Sequence, residues 1–191
     1  GADEFLSDEE ILRAAGDWRN ASPAIVEFWG GQQRRGRTEY YGIEGAFVQA
    51  VLKPGYAFYC RGHEFVMRGD ALYLKLISGR ELVYHRPRLG PNGERAGFAI
   101  SYEGWNTNPK NGPKGWVRMR TWGGRLVENI TQATCRDLLR YAIINLEATG
   151  KYRVVLHVYD EIVVEVLEGQ GSVEEVEAIM MRRPEWAKDW P

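Results

Sequence analysis

Residues 153–166 run Arg153-Val-Val-Leu-His-Val-Tyr-Asp-Glu-Ile-Val-Val-Glu-Val166. Two β-rich runs, Arg153–Val158 and Glu161–Val166, flank the pair Tyr159-Asp160, and a two-residue connection is the length of a tight hairpin. The spacing predicts an antiparallel hairpin with a carboxylate, Asp160, at its tip and Glu161 on the opposite face. A carboxylate fixed at a rigid tip suits a hard cation, because magnesium takes one or two carboxylates together with substrate phosphates. The plainer explanation is turn chemistry, for which aspartate is a common choice. The hairpin alone does not separate the two.

The segment just before it adds weight to the first. Gly123-Gly124 launches the strongest helical pattern of the chain, from about Arg125 to Ala148, with Gly150 as its stop. Leu139, Ala142, Ile143 and Leu146 follow the spacing of a buried stripe. Arg125, Asn129, Gln132, Arg136 and Arg140 recur at intervals of four, three, four and four, which puts them on one polar, mostly cationic stripe. On pattern alone such a stripe is equally a solvated helix face. Beside a fixed carboxylate it is also what metal-assisted phosphoryl transfer on a nucleic acid requires. Cys135, on the same helix, reads as a small buried hydrophobe rather than a nucleophile.

Towards the N terminus the period changes. Tyr56–Cys60, Glu64–Arg68, Ala71–Ile77 and Glu81–His85 are short alternating runs punctuated by Arg61-Gly62, Gly69-Asp70 and Ser78-Gly79, an antiparallel meander. Arg86 to Gly97 reads as turn-rich. Phe98–Tyr102 and Trp116–Trp122 read as strands joined by a mobile Asn/Pro/Lys/Gly loop. Ahead of the meander, Ser7 with Asp8, Glu9 and Glu10 caps a helix to about Asn20. Ser22-Pro23 restarts one, which Gly30-Gly31 ends, and an amphipathic helix from Ile43 to Leu52 stops at Pro54-Gly55. Gly1 to Leu6 reads as a frayed terminus. After the hairpin, a last helix from about Ser172 to Arg182 precedes a Trp/Pro tail. The expected fold is α+β, with a helical segment at 1–55, the β meander and basic loops at 56–122, and helix, hairpin and last helix at 123–191, all in one compact unit.

Composition bounds the function. With 191 residues, 44% hydrophobic and 27% charged, the chain is long enough for a real core and is neither disordered nor membrane-embedded. No basic-plus-apolar leader opens it, so a cytoplasmic setting is expected. Two cysteines, Cys60 and Cys135, and three histidines argue against a disulfide scaffold or a zinc site. A net charge of −1 excludes a generally basic nucleic-acid binder but not a local basic face. From Asp160 onward nine acids face three bases, whereas Arg61 to Arg125 is rich in arginine and lysine.

Five segments carry a resemblance to one family. Thr121-Trp-Gly-Gly-Arg-Leu-Val-Glu-Asn-Ile-Thr-Gln-Ala-Thr-Cys-Arg-Asp-Leu-Leu139 resembles the segment before the last catalytic motif of phage-type family A DNA polymerases. Leu156-His-Val-Tyr-Asp-Glu-Ile-Val-Val-Glu-Val166 resembles that motif, usually V-H-D-E. Asp17-Trp-Arg-Asn-Ala-Ser-Pro-Ala-Ile-Val-Glu-Phe-Trp29 resembles the helix after the fingers. Ser78-Gly-Arg-Glu-Leu-Val-Tyr84 is similar to the family's S-G-R-x-L-x-Y turn, and Pro184-Glu-Trp-Ala187 to its P-E-W-A. The segments occur in family order from about Ile11 to Trp190.

The resemblance implies part of a polymerase palm, an antiparallel sheet with the catalytic-type hairpin packed on the long helix, of phage or bacterial origin. It makes Asp160 a catalytic metal ligand and Glu161 its acidic neighbour in a two-Mg²⁺ site of which this chain supplies half. Gln132 falls where the family touches the primer–template, with Arg125, Asn129, Arg136 and Arg140 along the duplex backbone. Tyr159 stands where the family usually has histidine near the primer terminus, and Glu128 where many cellular members have asparagine. The family's other metal aspartate and its nucleotide-binding fingers helix are expected ahead of Ile11 and are not in the sequence. Arg34-Arg35-Gly36-Arg37 with Tyr40-Tyr41-Gly42 mimics that helix but lies on the wrong side of Asp17–Trp29. The implied partners are therefore a DNA primer–template, a dNTP, and an upstream fragment carrying the missing groups, with no membrane. A non-catalytic DNA-binding or assembly module derived from a palm is the alternative. A neighbouring reading frame encoding the missing motifs would discriminate the two.

Overall fold

A computed structural model describes residues 7–34, 37–91, 97–109 and 112–190. The chain divides into two compact units, one of residues 1–74 and 81–127, the other of residues 75–80 and 128–191. The expectation for Gly1 to Leu6 lies outside the described residues.

In the first unit, helix α1 (Asp8–Ala21) begins with the expected Ser7 N-cap, which the structure completes as a capping box: Ser7 Oγ accepts from Glu10 N, and the Glu10 carboxylate accepts from Ser7 N at 2.8 Å. Helix α2 (Pro23–Trp29) starts on Pro23, whose missing N–H costs nothing there. Gly30 ends it with a φ of 72°. A Cβ on Gly30 would lie 2.5 Å from the Gly42 Cα, and one on Gly42 2.3 Å from the Gly30 Cα, so these two backbones cross only because neither carries a side chain. Between them, strands β1 (Gly31–Arg34) and β2 (Arg37–Tyr41) pair antiparallel. No strand was expected here; Arg34 and Tyr40-Tyr41 lie on this ribbon and not on a helix, while Arg35 and Gly36 lie outside the described residues.

Helix α3 (Gly42–Leu52) is buried on more than one side, through Ile43, Ala46, Phe47, Val48 and Ala50. An amphipathic helix was expected; strands and α2 wrap it instead, so it needs apolar side chains beyond one face. Strands β3 (Ala57–Cys60), β4 (His63–Arg68), β5 (Ala71–Lys75), β6 (Glu81–Pro91), β7 (Phe98–Asn106) and β8 (Gly115–Thr121) form a six-stranded sheet in chain order, the expected meander. Its covered face carries Phe65, Leu72, Leu74, Tyr84 and Ile100, with Tyr84 edge-on to both Phe47 and Tyr102.

Strand β6 corrects the turn-rich expectation for Arg86 to Gly97. The ladder slips between His85 and Arg88, Arg86 takes a φ of 43°, and pairing then resumes from Arg88 to Pro91. Pro87 thus sits in a bulge, where its lack of an N–H breaks no ladder bond. Residues 92–96 lie outside the description, as do residues 110–111 in the middle of the loop expected to be mobile. Either side of the latter, buried Asn106 donates to the carbonyls of Gly112 and Pro113, both at 3.0 Å.

Helix α4 (Gly123–Glu147) starts where Glu44 Oε2 accepts the Gly123 N–H at 2.7 Å, a carboxylate at a helix N-terminus supplied from 79 positions away. Gly150 closes it at the C-terminal end with a φ of 66° and its N–H on Glu147 O. In the second unit, strands β9 (Arg153–Val158) and β10 (Glu161–Glu165) pair as a hairpin, followed by helix α5 (Val173–Met180) and a 3₁₀ turn, Glu185–Ala187. Among the described residues this hairpin is a two-stranded sheet of its own and does not extend the larger one.

Leu146 of α4, Tyr152 and Ile179 form the second unit's core, with Val154, Ile162, Val164, Val176 and Met180 packed on it. The hairpin therefore does pack on the long helix, through Val154 of β9 and the alternate residues Ile162 and Val164 of β10. The Tyr152 hydroxyl donates to Glu175 at 2.7 Å and accepts from Ser172 N at 3.1 Å, and Lys151 pairs with the same carboxylate. No helix among the described residues is long and apolar enough to cross a membrane.

Candidate active site

An open cleft of about 570 Å³ lies between the middle of α4 and the hairpin tip, lined by Gln132, Cys135, Arg136, Leu138, Leu139, Ala142, Tyr159, Asp160 and Met180. Helical periodicity brings Gln132, Cys135, Arg136 and Leu139 to one side of α4, three and four residues apart. The hairpin contributes only its tip. Pairing of Val158 with Glu161 leaves Tyr159 and Asp160 as the whole connection. Tyr159 takes a φ of 52°, the left-handed conformation that hairpin turns usually assign to glycine, and it is 91% exposed. A register shift between Val163 and Val164 adds local twist below the tip.

Asp160 is exposed, and its carboxylate makes no hydrogen bond or ion pair among the described residues. An aspartate serving turn chemistry accepts from a backbone N–H two residues on. This one does not, so the turn leaves the carboxylate of a cleft-lining residue unengaged. Glu161 begins β10, exposed, and is not among the lining residues. Among the described residues no three His, Cys, Asp or Glu side chains group as a metal cluster. The donor set fits a magnesium site shared with substrate phosphates or a carboxylate from elsewhere, not a self-sufficient one.

The stripe predicted from the helix is only partly assembled here. Gln132 and Arg136 join Tyr159 and Asp160 on the cleft. Arg140 is exposed but lies off it, as does half-buried Asn129. Arg125 is exposed on the first turns of the helix and faces Tyr102, whose phenol is pushed up by burial against the opposing pull of that charge.

Cys135 corrects the sequence expectation: it is exposed and lines the cleft, because its position three after Gln132 places it on the polar side of the helix. Met180 was not singled out from sequence; it comes from α5, and nothing local marked it. Sequence reading also missed the group that fixes the helix. Asp137, half-buried beside Arg136, accepts from Ser78 Oγ at 2.5 Å and from Arg80 Nε at 2.6 Å, while Arg80 Nη2 donates to Ala133 O at 2.6 Å. Residues 75–80, which carry Ser78 and Arg80, belong to the second unit together with Asp137. The Ser78-Gly-Arg80 resemblance was the available signal, without its partner.

The chain is similar to a phage DNA polymerase. It is 36% identical over 186 residues to the DNA polymerase of Bacillus phage SP02, a match that takes in 97% of this chain. The chain spans about a quarter (26%) of that relative's length. The resemblance to phage polymerases read from the five segments is thereby borne out. No protein-family model matches the chain, and no solved structure matches it.

Proposed function

We propose that this chain contributes one side of the active site of a template-dependent DNA polymerase, with Asp160 as a metal ligand and Gln132, Arg136 and Tyr159 as primer–template contacts. The observation that carries the proposal is the Asp160 carboxylate, fixed at a two-residue tip, unused by the turn, and open to a cleft whose helix wall presents an amide and a guanidinium. The similarity to a phage polymerase makes nucleotidyl transfer in DNA replication the chemistry to test.

In that role Asp160 supplies a hard anionic oxygen, and Glu161 on the next residue raises the negative potential at the tip. Magnesium, when bound, polarises the primer 3′-hydroxyl and offsets charge on the phosphates being transferred. Gln132 hydrogen-bonds base or sugar edges near the nascent pair, Arg136 pairs with a backbone phosphate, and the Tyr159 hydroxyl offers a donor where the family has histidine. Arg125, Asn129 and Arg140 extend the contact along the duplex. The second carboxylate, the dNTP-binding groups and the remaining cation contacts come from an upstream polymerase segment.

The experiment is a graft of this chain into the SP02 polymerase in place of the segment it matches, followed by primer extension in Mg²⁺. The wild-type graft extends, and its Asp160→Asn form falls by about 100-fold or more. Unchanged synthesis by the asparagine form removes Asp160 from the catalytic residues. A folded, DNA-binding graft without synthesis instead supports a non-catalytic DNA-binding module.

A further inference from the structure

One face of the six-stranded sheet lies against α3. The opposite face of β6, β7 and β8 is open, and alternation along each strand decides what it displays. Tyr84, Ile100, Tyr102 and Thr121 point to the covered side, so His85, Ser101, Glu103, Trp105, Trp116, Arg118 and Arg120 point away from it. Trp105 and Trp116 are direct cross-strand partners, their rings edge to face with centroids 6.3 Å apart, and they are 54% and 60% exposed. His85 stands edge-on to Trp116 at 5.4 Å. Two indoles on one sheet face, neither covered by the unit's own core, form an aromatic platform rather than a core fragment.

Charge completes the pattern. Strands β6 to β8 carry four arginines against two glutamates. Glu103 holds Arg118 at 2.9 Å and Arg86 at 2.6 Å, and Arg118 also donates to the Arg86 carbonyl at 3.1 Å, which fixes its guanidinium plane. Arg88 and Arg120 are exposed and make no ion pair among the described residues. Trp116, Arg118 and Arg120 succeed one another at alternate positions, about 6.8 Å apart along the strand. Aromatic faces followed by regularly spaced cations suit a nucleic-acid strand whose bases are unpaired; paired bases in a duplex present no face to stack on.

We propose that this open face binds single-stranded DNA, with bases stacked on the Trp105–Trp116 pair and successive phosphates on Arg88, Arg118 and Arg120. The site shares no residue with the Asp160 cleft and does not depend on its chemistry.

The test is fluorescence anisotropy of labelled oligo(dT) and of a hairpin duplex with the full chain. Trp105→Ala/Trp116→Ala weakens oligo(dT) binding by about tenfold or more. Trp105→Phe/Trp116→Phe retains it within about threefold, and duplex affinity changes little in either. Arg88→Ala/Arg120→Ala makes the log–log salt dependence for oligo(dT) shallower by about 1.4, from about 0.7 per phosphate. Unchanged oligo(dT) affinity in a folded Trp→Ala pair overturns the proposal, as does an equal loss for duplex. If that pair unfolds, an unchanged salt slope in the arginine pair overturns it. Oligo(dT) binding through this face in a chain whose graft synthesises nothing leaves the inference standing and the polymerase role fallen.

Discussion

Asp160 is where a bland and a functional explanation part most sharply. Asparagine serves turns as well as aspartate, so a turn residue would make Asp160→Asn silent. As a metal ligand it loses about two orders of magnitude of synthesis in the graft while its melting temperature holds or rises slightly, since a charge beside Glu161 is removed. Calorimetry and primer extension on the same preparation check the pair of outcomes. Glu175 gives a second residue-level expectation. The Lys151 hydrogen bond first, and that of Tyr152 second, hold its carboxyl below the usual range. A depressed folded-state pKa means stability that is present above the unfolded value, about 4.3, and is lost as pH falls through the lower folded one. Lys151 is raised by the same hydrogen bond, so its contribution is present below about 10.4 and is lost as pH rises through the higher folded value. Melting curves of Glu175→Gln should therefore lose pH dependence at both extremes; an unchanged acid limb would show that the latch on Tyr152 does not matter.

At the scale of elements, α4 is a lever whose placement is set by side chains it does not own. Arg80 and Ser78 clamp it at Asp137, and hydrogen bonds to charged groups contribute about 1.5–3 kcal/mol when removed from a part-buried site. Partial exposure of Arg80 moves the expectation to the lower end, so Arg80→Ala should cost about 1.5 kcal/mol in a denaturant titration and loosen Arg136 against the cleft. The cationic stripe makes its own prediction. If Arg136 and Arg140 each hold one phosphate, replacing both with alanine should make the log–log salt slope of duplex binding shallower by about 2 without loss of helix. Unaltered affinity and slope would reduce the stripe to a solvated face. The hairpin was legible because two strong β runs enclosed two residues. The β1–β2 ribbon was not, because its pairing depends on the Gly30–Gly42 crossing, which brings together backbones 12 positions apart in sequence.

For the whole molecule the expectation is that the 191-residue chain alone does not extend primers. Its cleft offers one hairpin carboxylate, and on the proposed metal-ligand role the lack of the rest of a two-metal site would remove several kcal/mol of transition-state stabilisation, each 1.36 kcal/mol being about tenfold in rate. Robust Mg²⁺-dependent extension by the purified chain would contradict this. The division into two units also has a consequence. One unit carries the aromatic sheet face and the other the carboxylate cleft, so oligo(dT) binding and Asp160-dependent synthesis should respond to separate sets of substitutions.

Local chemistry determined much of this protein. Capping at Ser7, proline at the start of α2, the alternation of the meander, the stop at Gly150 and the Tyr159-Asp160 connection each rest on interactions within a few residues, and those can be read in one dimension. The tertiary structure decided the rest, because long-range partners leave no local periodicity. It placed Asp137 under Arg80, brought Glu44 to the start of α4, and packed strands around α3 beyond a single face. It turned Cys135 outward and carried β6 through Pro87 by a bulge. It also left the Asp160 carboxylate without a turn partner, since whether that oxygen is engaged depends on where the neighbouring N–H groups point, and residue identity does not specify that.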